Sequence, residues 1–330
     1  MASGASGEDS LIARYFKPLA TDAGAFNLDD DAAIIRPSGH DIVVTTDGVV
    51  EGVHFLASDP PDTLARKALR VNLSDLAAKG AAPAGFVLTL ALRSVDEAWL
   101  AAFAHGLGED AASFACPLLG GDTVSTPGPQ MVSITAFGRV AEGRMVHRSG
   151  AKPGDHVVVT GTIGDAALGL DVLKNGPVAA ALAADPAARD ILISRYRVPQ
   201  PRNGLAAAVR DHASAAMDVS DGLAGDLTKL CAASGVSAAI DAPLIPASAP
   251  AAGLLARGVV DIEALISGGD DYEILCTVGD AHIAVFRHEA ARAGIAVTPI
   301  GKVIAEQGPP RFLDARGNAI ALNRLSYSHF

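Results

Sequence analysis

The pattern of apolar and polar positions predicts strands and helices that alternate along both halves of the chain. Runs of β-branched and apolar residues predict strands, and apolar residues at helical spacing predict helices. The predicted strands lie at 41–50, 84–92, 130–140 and 155–161, with one more before a predicted helix start at Ser220 and another beginning in 269–278. The predicted helices are 62–79, 95–115 and 165–174, and the Ala/Pro-rich stretch 241–253 is predicted to be a surface loop.

The predicted helix at 62–79 has two unlike faces. Asn72, Asp75 and Lys79 share one face at i, i+3 and i+7, while leucines cover the other. A polar face on an otherwise apolar helix predicts burial against a functional site.

The chain is long enough for two domains. The Gly/Pro connector GAKPG at 150–154 separates residues 1–149 from residues 150–330. Each part mixes strands with helices, and no repeat of 20–50 residues is present, so the fold class is predicted to be α/β (α+β) with two domains.

Composition and charge exclude several classes of protein. No apolar run reaches the roughly 20 residues that span a bilayer, and the small, polar N-terminus lacks signal-peptide features, which predicts a soluble cytoplasmic protein without a membrane partner. The net charge of −11 argues against a nucleic-acid partner. Cys116, Cys231 and Cys276 are widely spaced among apolar neighbours and are predicted to be buried free thiols.

Short Asp-bearing segments are the main chemical signal. They are DDDAA at 29–33, TTD at 45–47, NLSD at 72–75, GGDT at 120–123, DVSDG at 218–222 and GGDD at 268–271. Several follow apolar runs that predict strands, and α/β proteins commonly bind their ligands at the ends of strands. Convergence of these carboxylates implies cations, and all-oxygen ligands suit Mg²⁺ or Mn²⁺, of which Mg²⁺ is usually shared with substrate phosphates and water. Each Asp could equally be an N-cap or turn residue.

Other motifs allow two interpretations or carry no function. GLGEDA at 106–111 matches a dinucleotide pattern but falls inside a predicted helix, and no P-loop sequence occurs. GTIGDAALG at 161–169 is either a phosphate cradle at a helix N-terminus or a tight turn between strand and helix. His54, seven residues after Asp47, is either a site residue or a packed loop histidine.

Ten segments distributed nearly end to end form a recognisable set. They are GEDSLIARYF (7–16), DDAAII (30–35), TTDGVVEGVHF (45–55), KALRVNLSDLAAKGA (67–81), LLGGDT (118–123), HRSGAKPGD (147–155), GTIGDAALGL (161–170), MDVSDGL (217–223), SGGDDYE (267–273) and SYSHF (326–330). Together these segments resemble the thiamine-monophosphate kinase family. The superfamily to which this family belongs also contains aminoimidazole ribotide synthetase and selenophosphate synthetase. The chain has no Cys before Cys116, unlike the N-terminal Cys or selenocysteine of selenophosphate synthetase.

The resemblance implies ligands for several Mg²⁺ ions, contacts to ATP as co-substrate and contacts to thiamine phosphate. The implied metal ligands are Asp31, Thr45 or Thr46, Asp47, Asp75, Asp122 and Asp218, with Asp221 near a further ion. Of these, Asp47, Asp122 and Asp221 are the implied catalytic carboxylates. The implied ATP contacts are Gly121, Asp122, Arg148 and Ser220, and the implied thiamine phosphate contacts are His54, Asp270 and Tyr327.

The resemblance also implies an aminoimidazole ribotide synthetase-like fold and a homodimer. In it, the N-terminal domain contributes strands to a barrel with a second subunit, and a C-terminal α/β domain closes the cleft. The chain departs from the family at Asp29, where the family has Gly, and at Asp270, where it has Glu. The alternatives are another acceptor within the superfamily and a non-catalytic module that binds thiamine phosphates or nucleotide.

Overall fold

The computed structural model describes residues 39–327, together with Phe26, Asp29, Asp30 and the backbone of Ala33–Ile35. Within these residues the chain forms two sheets, one in each half, each with its own helices. No helix in the described part is long and apolar enough to cross a membrane. The predicted α/β class is confirmed.

The N-terminal half is built on a mixed five-stranded sheet. Its elements are β1 Ala33–Ile35, β2 Asp41–Val50, α1 Pro61–Ala78, β3 Ala82–Leu92, α2 Glu97–Ser113, β4 Leu118–Ser125 and β5 Met131–Val140. The strand order is β1-β2-β5-β3-β4, with β3 and β4 parallel and the other neighbours antiparallel. β5 therefore lies between β2 and β3, although it follows both in sequence.

The C-terminal half is built on a six-stranded sheet. Its strands are β6 His156–Thr160, β7 Ala213–Asp218, β8 Ser237–Asp241, β9 Ile274–Val278, β10 Val297–Ile304 and β11 Arg311–Leu313. Its helices are α3 Asp165–Leu173, α4 Pro177–Ala181, α5 Pro186–Arg197, α6 Ala206–His212, α7 Leu223–Ser234, α8 Ala249–Ala256, α9 Ile262–Ile266 and α10 Asp280–Arg292. The strand order is β11-β8-β10-β6-β9-β7, with β11 and β8 parallel and the others antiparallel.

Most predicted elements are confirmed within a few residues. The predicted strand at 41–50 coincides with β2, and the predicted helix at 62–79 is α1, shifted by one residue. GLGEDA lies inside α2, as predicted. All three cysteines are free and buried. The predicted domain boundary at 150 falls between β5 and β6 and stays a prediction.

One predicted helix start is wrong and one predicted strand fills only the second half of its segment, for a shared reason. The helix predicted at Ser220 begins at Leu223, and the strand predicted in 269–278 covers Ile274–Val278. The two intervening loops bond to each other, since the Asp270 and Tyr272 N–H groups donate to the carbonyls of Ser220 and Val219. These long-range bonds replace the local helix and strand patterns.

The loop predicted at 241–253 is also wrong in part, because it contains a 3₁₀ turn at Ala242–Leu244 and the start of α8. Ser248 is the N-cap of α8, and its Oγ accepts a hydrogen bond from the Ala251 N–H. Ala251 and Leu254 are fully buried, so this short helix contributes to the core.

Helix α1 joins the two halves. Leu69, Leu73 and Leu76 belong to the buried cluster under the N-terminal sheet, as predicted. At the end of the helix, Ala77 and Ala78 instead belong to a cluster with residues of β6, β7, β9 and α10. The polar face of α1 is therefore enclosed between the halves.

Candidate active site

A cavity of about 470 Å³ opens between the two halves of the chain. Its lining includes six of the predicted site residues, which are Asp47, His54, Ser220, Asp221, Asp270 and Tyr327. These residues come from both halves, so only the tertiary fold brings them together. Val49, Val71 and Leu170 supply an apolar part of the wall.

Four carboxylates gather beside this cavity. Asp47 lies on the face of β2 that is directed towards α1, and Thr45 on the same face donates a hydrogen bond from Oγ1 to Asp75 on α1. Asp218 is the last residue of β7 and is almost fully buried, and Asp221 follows in the next loop. The predicted grouping of these carboxylates is therefore present.

Burial, and to a smaller extent their mutual repulsion, raises the pKa values of three of these carboxylates. Burial, followed by the charge of Asp221, raises the pKa of Asp47 to about 6. Burial, followed by the charges of Asp218 and Asp47, raises the pKa of Asp75 well above its usual value. Burial is also the main cause that raises the pKa of Asp218 to about 7, against a hydrogen bond from Ser74 that lowers it. The group is therefore a concentrated negative site.

The loop before α7 is shaped by a carboxylate that sequence reasoning missed. Asp226 Oδ2 accepts hydrogen bonds from the N–H groups of Ser220, Asp221 and Gly222 at 3.0, 3.0 and 3.2 Å. Gly222 has a φ of +122°, a conformation that side chains disfavour. An acidic residue in the first turn of a helix is the signal that could have indicated this role.

Lys229 was also missed, and it places positive charge at the same loop. Its Nζ lies 2.6 Å from Asp221 Oδ2 and 3.2 Å from Asp226 Oδ1. Arg148 lies near enough for its charge to oppose protonation of Lys229. The carboxylate side of the cleft thus has two cations at its edge.

The other end of the cavity holds the predicted acceptor residues. His54 Nδ1 accepts a hydrogen bond from the Val50 N–H at 3.1 Å, which fixes the turn after β2. Asp270 lies in the loop before β9, and its Oδ2 is 2.9 Å from Lys67 Nζ. Tyr327 donates its N–H to the Asp221 carbonyl at 2.9 Å, which places its ring at the cavity although 47% of the residue is exposed.

Several predicted residues lie apart from this lining. Gly121 and Asp122 are on β4, and a Cβ at Gly121 would lie 2.1 Å from the Leu88 carbonyl oxygen, so close strand approach requires glycine there. The Thr46 side chain is on the opposite face of β2 from Asp47, where its Oγ1 donates to the Ile134 carbonyl at 3.2 Å. Asp31 lies outside the described residues.

The motif at 161–169 favours the tight-turn interpretation. The Gly164 N–H donates to both Asp271 carboxylate oxygens, at 3.0 and 2.8 Å. Asp165 is buried and accepts hydrogen bonds from Thr162 and Ser248, both at 2.5 Å. The groups at this helix start therefore form hydrogen bonds with carboxylates of the protein itself.

Among the described residues, no three His, Cys, Asp or Glu side chains are grouped so as to hold a metal ion on their own. An ion at this site would need further oxygen ligands. Mg²⁺ commonly takes them from substrate phosphates and water.

The raised pKa values predict how stability depends on pH when divalent cations are chelated. Because Asp47 and Asp218 have folded-state pKa values of about 6 and 7, the folded protein binds more protons than the unfolded chain above pH 4. We expect the melting temperature in EDTA to fall as the pH rises from about 4 to about 7 through this contribution. Asp47→Asn should flatten the trend in thermal unfolding scans, and an unchanged slope would contradict this assignment.

Comparison with known proteins identifies both halves. A family model described as AIR synthase related protein, N-terminal domain, matches residues 29–140, and one described as AIR synthase related protein, C-terminal domain, matches residues 152–312. A thiamine-monophosphate kinase of Caulobacter vibrioides is 45% identical over 96% of this chain and 89% of its own length. The enzyme of the same name from Escherichia coli K12 is 40% identical over 99% of both chains.

A solved structure agrees with the sequence comparison. AaThiL complexed with AMPPCP and TMP superimposes with a TM-score of 0.83 at 28% identity, covering 98% of this chain and 97% of that one. The predicted two-domain fold is therefore confirmed at the level of the single chain.

Proposed function

Because the chain belongs to the thiamine-monophosphate kinase family of AIR synthase related proteins, we propose that it transfers the γ-phosphoryl group of ATP to thiamine monophosphate. The products are thiamine pyrophosphate and ADP. The observation that carries the proposal is the cavity whose lining brings Asp47 and Asp221 together with Asp270 and Tyr327. The complex of AaThiL with an ATP analogue and TMP supports both ligands.

The carboxylate group fits Mg²⁺. The fold brings Asp47, Asp75 and Asp218 together, and burial, followed by the charges of neighbouring carboxylates, raises their pKa values, a cost that a bound cation would relieve. Their donor atoms are all oxygen, as Mg²⁺ prefers. When bound, Mg²⁺ supplies positive charge that neutralises phosphate oxygens during transfer.

The chain itself provides positioning and electrostatics. The attacking phosphate oxygen of the acceptor is largely deprotonated at neutral pH, so the reaction needs no strong base and no covalent protein intermediate. Ser220 and Asp221 are held in place by Asp226, which keeps their side of the cleft fixed. Arg148, beside Lys229, would place its positive charge on the ATP side.

A homodimer is part of the proposal. All eight residues of β4 are exposed in the single chain, although the strand carries Leu118, Leu119 and Val124. Among the residues that the structure describes, β4 is an edge strand that pairs with β3 alone. An exposed apolar edge strand is a surface that a second copy would cover, and doing so would bring Gly121 and Asp122 into a closed site.

The direct test is a turnover assay. Purified protein incubated with ATP, Mg²⁺ and thiamine monophosphate is expected to form thiamine pyrophosphate and ADP in equal amounts, measured by chromatography. Production of ADP with a different acceptor alone would redirect the proposal to another superfamily activity. Binding of both ligands without any product would point to a binding module.

Tyr327 is expected to hold the thiamine rings. A cationic thiazolium against an aromatic face gains about 0.5–2 kcal/mol. We therefore expect Tyr327→Ala to raise the KM for thiamine monophosphate about tenfold, as loss of such a contact does, and to leave the KM for ATP nearly unchanged. Tyr327→Phe keeps the ring and serves as the matched control, with a KM close to that of the wild type. An effect on ATP alone, or on neither substrate, would remove Tyr327 from the acceptor site.

A further inference from the structure

Lys67 is a buried lysine whose contacts all converge on the acceptor end of the cleft. It lies on α1 in the N-terminal half, with only 2% of its surface exposed. Its Nζ donates to the His54 carbonyl at 2.8 Å and to Asp270 Oδ2 at 2.9 Å, and lies 3.8 Å from the centre of the Tyr196 ring. A buried ammonium is stable only with such partners.

Both oxygens of the Asp270 carboxylate have partners within the protein. Its Oδ2 pairs with Lys67, and its Oδ1 accepts a hydrogen bond from the Tyr272 hydroxyl at 3.3 Å. Asp270 and Tyr272 both have positive φ, +70° and +50°, which is a strained conformation for residues other than glycine. The ion pair with Lys67 is thus one of the contacts that hold a strained loop.

The turn that carries His54 is held by the same residues. Its carbonyl accepts hydrogen bonds from both Lys67 Nζ and the Tyr196 hydroxyl, at 2.8 and 3.1 Å. Lys67 therefore links the turn after β2, in the N-terminal half, to the Asp270 loop, in the C-terminal half.

We propose that Lys67 is a positioning residue that sets the distance between the His54 turn and the Asp270 loop, and so shapes the site for the thiamine phosphate. This proposal rests on the proposed function. Lys67 acts through Asp270, whose carboxylate connects the two halves of the cleft. Both side chains lie at the acceptor end, so their loss affects the acceptor and spares ATP.

The test is a double-mutant cycle read out separately for each substrate. Lys67→Met and Asp270→Asn are each expected to raise the KM for thiamine monophosphate about tenfold, with the KM for ATP within about twofold of the wild type. Since the two residues act as one unit, the double variant should be no more than about twofold worse than the worse single variant. Lys302→Met, which removes a surface ion pair with Asp280 away from the cleft, is the matched control with unchanged KM values.

Each outcome decides the proposal. With a wild type that makes thiamine pyrophosphate, three results would overturn the proposal. The KM increases of the two single variants could multiply in the double variant, the KM for ATP could rise instead of that for thiamine monophosphate, or both single variants could keep the wild-type KM values. If Lys67→Met fails to fold, Asp270→Asn alone must show the acceptor-selective rise, because its half-buried side chain is less critical to folding. A wild type without turnover would instead overturn the proposed function and the positioning role with it.

Discussion

The Asp47→Asn protein is expected to fold and yet to lose roughly 10²–10³-fold in kcat/KM. The amide keeps the volume of the carboxylate but removes the negative charge that would hold a cation beside the ATP phosphates. Asp47 is the carboxylate that links both parts of the group, since its charge interacts with Asp221 on one side and with Asp75 and Asp218 on the other. Steady-state kinetics at saturating ATP and Mg²⁺ measure the effect.

The same substitution has an opposite effect on stability. Removing one of several repelling charges lowers the strain of the group, so the melting temperature of Asp47→Asn in EDTA at pH 7.5 should be at or above that of the wild type. Asp280→Asn, at an exposed carboxylate paired with Lys302, is the control for a loss of charge elsewhere. Near-normal turnover of a folded Asp47→Asn protein would exclude Asp47 from the metal site.

The Glu273→Gln protein is expected to lose about 3–5 kcal/mol of stability, the usual cost of breaking a buried ionic group. Glu273 is fully buried, and its carboxylate accepts hydrogen bonds from Arg195, Arg202 and Thr160. The neutral amide would leave two partly buried guanidinium groups without their anion. Thermal unfolding should show a melting temperature lower by roughly 10 °C.

The Glu273→Gln substitution should also disturb the Asp270 loop. Its carbonyl accepts the Val219 N–H at 2.8 Å, and Arg195, one of its partners, also donates to the Asp271 carbonyl at 3.2 Å. Glu306→Gln, at an exposed ion pair with Arg311, is the matched control and should change stability by less than about 0.5 kcal/mol. A Glu273→Gln protein that melts within 2 °C or so of the wild type would show that the network is not required for stability.

The candidate site was partly predictable from the sequence. Asp47 lies within β2, Asp75 on the polar face of α1 and Asp218 at the end of β7, and these positions are recognisable from local periodicity. Their convergence depended on the resemblance to a family, since spacing alone left each one open to interpretation as a cap. Asp226 has a local signal, its place in the first turn of α7, whereas the roles of Lys229 and Lys67 depend on partners that local patterns do not indicate.

The alternation of strands and helices was determined by the sequence itself. The bounds of β2 and the two faces of α1 follow from side chains that repeat with the period of a strand or a helix, and these repeats involve only near neighbours. The free, buried cysteines and the α/β class follow from composition in the same way. The local sequence is sufficient to predict an element where its backbone forms hydrogen bonds within its own segment or with the next strand.

Only the tertiary structure decided the shape of the cleft. GDDYEILCTV at 269–278 predicted a strand, but its first residues form a loop in which Asp270 and Tyr272 take positive φ and their N–H groups bond to the loop after β7. Lys67 meets Asp270 across 203 positions of sequence. The backbone bonds join two loops of the C-terminal half, and the Lys67–Asp270 pair joins the two halves; the energy of these contacts outweighs the local preference of the residues they join.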